Sequence, residues 1–274
     1  MMDIKQTVQT ALMEDLNNQK DITALLIAEN KDATACVITR EDMILCGVEW
    51  AKEVFLQLDR ETVIKFNYQD GDFVKANSEI CTISGKARTI LTGERTALNF
   101  LQMLSATASI TNKFVAELEG TDSVLLDTRK TIPALRAAQK YAVKCGGGKN
   151  HRMGLYDAFL IKENHIAACV SIAKAVEKAR QIAPDKPVEV EVENISELEE
   201  ALLCKADIIM LDNFDISQIN QAIELNAGRA KLEVSGDVNL DNIREIALTG
   251  VDYISCGSLT KHVIAINLSM RVQL

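Results

Sequence analysis

Between Asp127 and Asp157 the chain carries no acidic residue. Arg129, Lys130, Arg136, Lys140, Lys144, Lys149 and Arg152 all fall in that interval, His151 lies among them, and Lys162 follows. The formal net charge of the whole chain is -9, so this stretch opposes the global balance. A local excess of cations concentrates anionic ligands even on an acidic protein, because the field at a site is set by nearby charge and by shape. Arg136, Lys140 and Lys144 fall at helical spacing in PALRAAQKYAVK and read as the solvated face of a helix. Arg129, Lys130, Arg152 and Lys162 instead lie at the edges of apolar runs, where strands would end, and are the candidates for holding an anion.

Those edges belong to a repeating pattern. Short apolar runs at 124–127, 158–162, 188–193, 207–211, 232–235 and 253–256 alternate with helical segments at 133–144, 167–182, 196–204, 216–226 and 239–249. Ser196 followed by Glu199 reads as a capping box. Alternating strands and helices imply a parallel sheet. Six strands fall short of the eight of a closed barrel, so the α/β architecture expected over residues 106–265 is an open, incomplete β/α barrel, with a flat doubly wound sheet as the alternative.

In such a barrel reactive groups collect at the carboxyl ends of the strands. In strand order those ends offer Thr128, Arg129 and Lys130; Lys162, Asn164 and His165; Glu189, Glu191 and Glu193; Asp212 and Asn213; Ser235, Gly236 and Asp237; and Cys256, Gly257 and Ser258. In VEVEVE every Glu falls on one face and every Val on the other. Like charges on one strand face are costly if buried unpaired; cations and a metal opposite would answer them. The small, glycine-bearing ends SGD and CGS suit backbone N–H groups that cradle a phosphate. Cations on one side, carboxylates in the middle and a phosphate cradle at the end fit a polyanionic phosphosugar with Mg²⁺ between carboxylates and ligand phosphates.

Residues 1–105 read as a separate α/β sandwich-like domain, to which the segment 266–274 is expected to return. Ile4, Val8, Leu12 and Leu16 share a helix face, Asp21 and Thr23 form a cap or turn, 33–40 is a strand, 48–58 a helix and 63–68 a strand. Asp70-Gly71 and Ser84-Gly85 read as turns between twisted hairpins, loosely like lipoyl hammerheads but without a lysine presented at a hairpin tip. A long helix is expected from Thr92 to Gly120. That placement puts Arg95 in the first turn, where a cation opposes the macrodipole and suggests a functional role.

Composition is that of an ordinary globular chain, 47% hydrophobic and 25% charged. A sequence pI near 5.0 argues against nucleic acid as a partner. No apolar run reaches membrane-span length, and no secretory signal is read at the N-terminus. Seven Cys without a Cys-x-x-Cys pair fit buried apolar thiols and a reducing, cytoplasmic compartment.

Taken in order, ALMEDLNNQKDITA, GERTALNFLQMLSATAS, LDTRKTIPALR, KYAVKCGGGKNHRMGLYDAFLIKENHI, VEVEVEN, ADIIMLDNF, LEVSGD and GVDYISCGSLTKHV resemble the quinolinate phosphoribosyltransferases, also called nicotinate-nucleotide pyrophosphorylases (carboxylating). The resemblance covers essentially the whole chain. It implies an enzyme of NAD biosynthesis that joins quinolinate to phosphoribosyl pyrophosphate with Mg²⁺ and releases nicotinate mononucleotide, pyrophosphate and carbon dioxide. It also implies an N-terminal α/β domain, an open barrel, and dimers in which one subunit's N-terminal domain closes the other's barrel mouth.

Residue by residue, the resemblance implies that Arg95 reaches the dicarboxylate from a neighbouring subunit. Arg129, His151, Arg152 and Lys162 line the quinolinate pocket, with His151 donating to a substrate carboxylate. Lys130 stands near pyrophosphate; Glu191 and Asp212 meet the ribose hydroxyls and the metal; Ser235, Gly236 and Gly257 hold the 5′-phosphate. Lys130, Glu191 and Asp212 are thus the candidate catalytic groups, and His165 and His262 are read as structural. Two positions depart from the family pattern: Ala134 replaces a Gly, where only backbone packing is expected to change, and Asp237 stands where Gly or Asn is common, a carboxylate that would repel phosphate unless turned away. The competing readings are a nicotinate phosphoribosyltransferase, disfavoured by the number of cations, an aldolase with Lys162 as Schiff-base nucleophile, and a non-catalytic paralogue associated with molybdate transport. Arg152→Ala is expected to impair quinolinate use far more than Lys140→Ala.

Overall fold

The spacing of Ile4, Val8, Leu12 and Leu16 forms a helix, α1 (Ile4–Leu16), in the computed structural model, which describes residues 3–273. Asp3 caps α1 by accepting from the Gln6 N–H. Two units follow from the distribution of contacts. One takes in the chain through Asn112, then Pro133–Gly147 and the residues from His262; the other holds Lys113–Ile132 and Gly148–Lys261.

The first unit is built on an antiparallel sheet of β1 (Asp32–Thr39), β3 (Val63–Phe66), β5 (Glu79–Lys86) and β12 (Leu268–Gln273), in the order β12-β1-β5-β3. The C-terminal strand pairs along most of β1, from Thr34↔Gln273 to Thr39↔Leu268. A second small pairing joins β2 (Met43–Ile44) to β4 (Phe73–Val74). The alternation of β1 buries Ala33, Ala35 and Val37 in a core shared with Trp50, Val54 and Phe55 of α2 (Val48–Leu58). Ser84-Gly85 lies inside β5 and is not a turn: Gly85 pairs with Ala33, and a Cβ there would stand 3.1 Å from Thr62 Oγ1. Asp70-Gly71 does turn, with Gly71 at φ +97°.

Helix α3 (Ala87–Glu117) carries the chain from one unit into the other and starts five residues before the expected Thr92. The Ala87 N–H donates to the Lys31 carbonyl, so the helix leaves β5 without a loop. Gly93 is therefore interior, and a Cβ there would stand 2.7 Å from Phe55 Cε1. Arg95 lies in the third turn, exposed, so the helix-dipole argument for its function lapses. Helix α4 (Arg136–Cys145) starts later than expected, and Lys140 on it is 1% exposed. Lys144 is exposed, so the solvated face predicted from Arg136, Lys140 and Lys144 does not exist as such.

The second unit is a six-stranded parallel sheet in the order β6-β11-β10-β9-β8-β7, made of β6 (Val124–Leu126), β7 (Phe159–Ile161), β8 (Val188–Val192), β9 (Ile208–Asp212), β10 (Lys231–Ser235) and β11 (Tyr253–Ser255). The consecutive strands β6 and β7 are its two edges, so the barrel is open between them. Helices α6 (Ile172–Ile182), α7 (Ile195–Leu203), α8 (Ile216–Asn226) and α9 (Ile243–Leu248) alternate with the later strands. Val188, Val190 and Val192 are fully buried on one face of β8, each contributing roughly 1.5–3 kcal/mol. The expected helix 167–182 is broken: α5 (Glu163–Cys169) ends at Val170 with φ +79°, and Ser171 restarts the chain as N-cap of α6. The cap of α7 is Asn194, which accepts from the Glu197 N–H, two residues before the expected Ser196.

Candidate active site

The register fixes which side chains share the polar face of the parallel sheet. Glu191 of β8 and Glu233 of β10 both lie opposite Met210 of β9, and one step further along the strands Asp212 lies opposite Ser235. On β7, Leu160 pairs with Glu189, which puts Lys162 on the face of Glu189 and Glu191. The alternation that buries Val188, Val190 and Val192 on one side thus delivers a column of carboxyl groups to the other. Glu193 at its end is exposed, and its backbone N–H donates to Glu197.

The deepest part of this face is a cluster of His151, Glu189 and Glu233. His151 Nε2 lies 2.9 Å from Glu189 Oε2 and 3.5 Å from Glu233 Oε2, and the two glutamates are 2% and 0% exposed. His151 Nδ1 accepts from the Arg152 backbone N–H at 2.7 Å, so its lone pair is on Nδ1 and the proton on Nε2 faces the glutamates. Burial, reinforced by the neighbouring Glu189 charge and only partly offset by His151, pushes the Glu233 carboxyl up to about 8. At neutral pH Glu233 is therefore held mainly as the carboxylic acid, beside Glu189 and the His151 ring.

Asp127 positions the segment that carries His151. Fully buried at the end of β6, its carboxylate accepts from the His151 N–H at 2.9 Å and from Asn150 Nδ2. Lys149 bridges Leu126 in parallel fashion, so this segment runs as an extra short strand beside β6. Asp157 closes the following loop by accepting from the Met153 and Gly154 N–H groups at 2.6 and 3.0 Å.

Arg129, Arg152 and Lys162 bring cations to the same rim. Arg152 is half-buried, and burial first, then the facing Arg129 guanidinium, pull its pKa down. Two guanidiniums that repel each other in a half-buried setting form a receptor for an anion. Arg152 Nη1 also donates to the Ala158 carbonyl at 3.4 Å. Lys162 Nζ is ion-paired with Glu191, whose side chain is 10% exposed. Lys130 is exposed at the rim, its N–H donates to Thr128 Oγ1, and its carbonyl accepts from Thr260 Oγ1.

The small residues at the late strand ends permit close approach. A Cβ on Gly257 would lie 2.9 Å from Lys130 Cδ and 3.4 Å from Thr128 Oγ1, which joins the rims of β11 and β6. A Cβ on Gly236, at φ +105°, would lie 2.1 Å from Asn213 Oδ1, which joins those of β9 and β10. Asp237 has φ +44°, its side chain is exposed, and its carbonyl accepts from Asn239 and Asn242 Nδ2. The left-handed conformation is what the position demands, and Asp is among the few residues besides Gly and Asn that adopt it readily. Cys256 is buried, with Sγ donating to the Val238 carbonyl at 3.5 Å and lying 2.9 Å from Ser258 Oγ, so its side chain packs inward and does not line the rim.

Thr128, Arg129, Lys130, His151, Arg152, Lys162, Glu191, Asp212, Ser235, Gly236, Asp237, Gly257 and Ser258 all belong to the parallel-sheet unit; Arg95 belongs to the other. His151 faces two protein carboxyl groups, which departs from the expected role as donor to a substrate. His165 Nδ1 accepts from the Lys162 N–H and is a local cap. Glu233, Asp127 and Asn150 were missed. Glu233 carried a signal, since in LEVS it falls on the side opposite Leu232 and Val234. For divalent cations, Glu191 and Asp212 offer hard carboxylate oxygens on one face of adjacent strands, which is the donor type Mg²⁺ takes alongside waters and substrate phosphates.

Residues 21–105 match the quinolinate phosphoribosyl transferase N-terminal domain family, and residues 107–271 the C-terminal domain family. A probable nicotinate-nucleotide pyrophosphorylase [carboxylating] of Bacillus subtilis (strain 168) is 38% identical over 274 residues, covering 100% of this chain and 94% of the relative. The solved nicotinate-nucleotide pyrophosphorylase of Francisella tularensis superposes with TM-score 0.96 at 52% identity, over 98% of this chain and 96% of that one. NadC of Streptococcus pyogenes gives 0.95 at 40%, over 100% and 99%. With both domain families matched in order and a relative aligned along the whole of this chain, the chain belongs to the quinolinate phosphoribosyl transferase family.

Proposed function

We propose that this chain transfers the phosphoribosyl group of phosphoribosyl pyrophosphate to quinolinate with loss of carbon dioxide, giving nicotinate mononucleotide and pyrophosphate for NAD biosynthesis. The observation that carries the reading is the half-buried Arg152 facing Arg129, with Lys162 on the adjoining strand end. Two adjacent substrate carboxylates would offset the repulsion between the Arg129 and Arg152 guanidiniums. Bidentate guanidinium contacts hold the pyridine ring in one orientation and so aim its nitrogen at the anomeric carbon.

As pyrophosphate leaves, positive charge develops on the ribose, and Glu191 and Asp212 share the face where it would be stabilised. Glu191 starts from an ion pair with Lys162, so a substrate carboxylate that draws Lys162 away leaves the Glu191 charge available for the ribose. Lys130, at the rim beside Gly257, is assigned to the departing pyrophosphate. Asp212 and Glu191 would hold Mg²⁺ together with the substrate phosphates, and the ion would supply charge neutralisation for the leaving group. The resulting pyridinium withdraws electrons from C2, so the C2–carboxylate bond breaks, carbon dioxide leaves, and the electron pair left on C2 takes a proton from solvent. Arg95, exposed on the other unit, is assigned to the dicarboxylate from a second subunit of a homodimer. The seven cysteines are free thiols, which suits a reducing cytoplasm. No described helix is long and apolar enough to cross a membrane.

Release of labelled carbon dioxide from quinolinate is expected to require phosphoribosyl pyrophosphate and to be abolished by a chelator. Turnover of nicotinate without carbon dioxide release would replace this reading with the non-decarboxylating reaction.

A further inference from the structure

A second group of ligand-type side chains lies in the antiparallel-sheet unit and plays no part in the chemistry above. Cys46 precedes α2, Asp70 opens the turn at Gly71, and Cys145 ends α4; their two Sγ atoms and a carboxylate oxygen all lie within 4.8 Å of one another. Cys46 is fully buried, and Asp70 and Cys145 are half-buried.

The fold itself brings them together. Ser105 Oγ accepts from the Cys46 N–H at 2.9 Å and donates to the Cys46 carbonyl at 3.1 Å. A Cβ on Gly146 would stand 2.3 Å from the Ala108 carbonyl, so this glycine lets the end of α4 pack against α3. Asp70 accepts from the Val48 N–H at 3.0 Å through Oδ1 and from the Tyr141 hydroxyl at 3.0 Å through Oδ2, and the Gly47 N–H also bonds its carboxylate, which fixes the group in place. Tyr141 in turn packs on Trp50, ring centroids 5.7 Å apart.

We propose that Cys46, Asp70 and Cys145 bind a thiophilic divalent cation of the Zn²⁺ class, with the Tyr141 hydroxyl or a water completing a tetrahedron. Two sulfurs exclude Mg²⁺ and Ca²⁺, and the carboxylate favours Zn²⁺ over Cu⁺, which prefers sulfur alone. Tetrahedral zinc with Zn–S near 2.3 Å spaces its ligands about 3.5–3.8 Å apart, so the observed grouping needs to contract by about an ångström at most. Binding sends each thiol proton to solvent and transfers no electrons. The ion would staple the start of α2, the Asp70–Gly71 turn and the end of α4, three segments far apart in sequence. The site is independent of the proposed reaction.

Titrating Co²⁺ into the reduced, metal-stripped full chain tests this through thiolate-to-cobalt charge-transfer absorption and tetrahedral d–d bands, with Zn²⁺ as the displacing ion. The single tryptophan, Trp50, gives a second reading through its emission. The expected result is one cobalt per chain, a change in Trp50 emission, and roughly hundredfold weaker binding in Cys145→Ser and about tenfold in Asp70→Asn, with Cys36→Ser and Cys204→Ser unchanged. Unchanged far-UV circular dichroism and an unchanged urea midpoint without metal report that each variant has folded, so loss of binding is not loss of structure. Absence of the charge-transfer band, or its survival in Cys145→Ser, overturns the proposal. So does a Cys46–Cys145 disulfide formed under mild peroxide by a reduced protein that takes up no metal, since the pair would then be redox thiols.

Discussion

At the amino ends of the parallel sheet, Asp207 accepts from the Val188 N–H and pairs with Arg180 at 2.9 Å, while Asp252 accepts from the Leu232 N–H and pairs with Lys231 at 2.6 Å. In both cases an aspartate ahead of one strand ties down the start of the strand beside it, and a surface cation completes the pair. At the carboxyl ends the same sheet presents Arg152 repelled by Arg129, and Glu233 buried beside Glu189 under one shared imidazole. Charges at the first end are paired and largely wet; at the second, beside the Lys162–Glu191 pair, like charges lie together in partly buried surroundings. A protein retains such conflict where a ligand will resolve it, and for that reason perturbed groups mark functional sites. A shallow depression at the amino ends, lined by Lys205, Asp207, Arg229, Lys231 and Asp252, shows that concavity alone does not make a site.

The sharpest way to break this contrast is Arg152→Ala, expected to lower kcat/KM for quinolinate by about 10²–10³-fold, as removal of one partner in a desolvated charge pair does. Arg180→Ala at the opposite end is expected to leave it unchanged. Equal losses in steady-state assays would erase the distinction. Lys140, buried, no longer serves as the solvated control; Lys144, exposed, does. Next comes Asp127→Ala, which leaves the His151 N–H and Asn150 without their acceptor. Urea unfolding should show a loss of about 1–3 kcal/mol, and kcat/KM should fall as His151 and Arg152 lose their placement.

Glu233 and Asp207 should give opposite pH dependences. The folded Glu233 carboxyl is raised to about 8, so the stability it confers is present in full below the ordinary carboxylate range and is lost as pH rises towards about 8. Asp207 is lowered: burial acts against it, but the Arg180 guanidinium and the Val188 N–H prevail, so its contribution is present at neutral pH and lost on acidification. Unfolding measured across pH should therefore lose its alkaline slope in Glu233→Gln and part of its acid slope in Asp207→Asn. A Glu233→Gln protein with an unchanged alkaline slope would show that the cluster does not titrate as described. The smallest effect is that of Arg180→Ala on stability, expected below about 1 kcal/mol because the pair is solvent-screened.

Much of the site was legible because barrel topology turns strand ends into a list of neighbours. Arg129, Lys162, Glu191 and Asp212 each follow an apolar run, and a parallel sheet gathers such positions on one rim. Glu233 was not read, since one glutamate in LEVS resembles any amphipathic strand until the register sets it across Met210 from Glu191 and His151 is folded over it. Arg95 reads as a helix-dipole conflict only if the helix starts at Thr92; α3 instead starts at Ala87, and Gly93 lies inside it where Phe55 approaches closely. Ala134 was expected to affect packing alone, yet its φ of +64° makes it a conformational strain that Gly would not bear.

Residue order by itself determined the alternation of strands and helices, the six-stranded count, and which side chains stand at strand ends, because periodicity and turn chemistry act over a few residues. Tertiary structure decided which of those charges are dry. It buried Lys140, set His151 on Glu189 and Glu233, and grouped Cys46, Asp70 and Cys145, since burial and like-charge contact depend on segments that only the folded chain brings together.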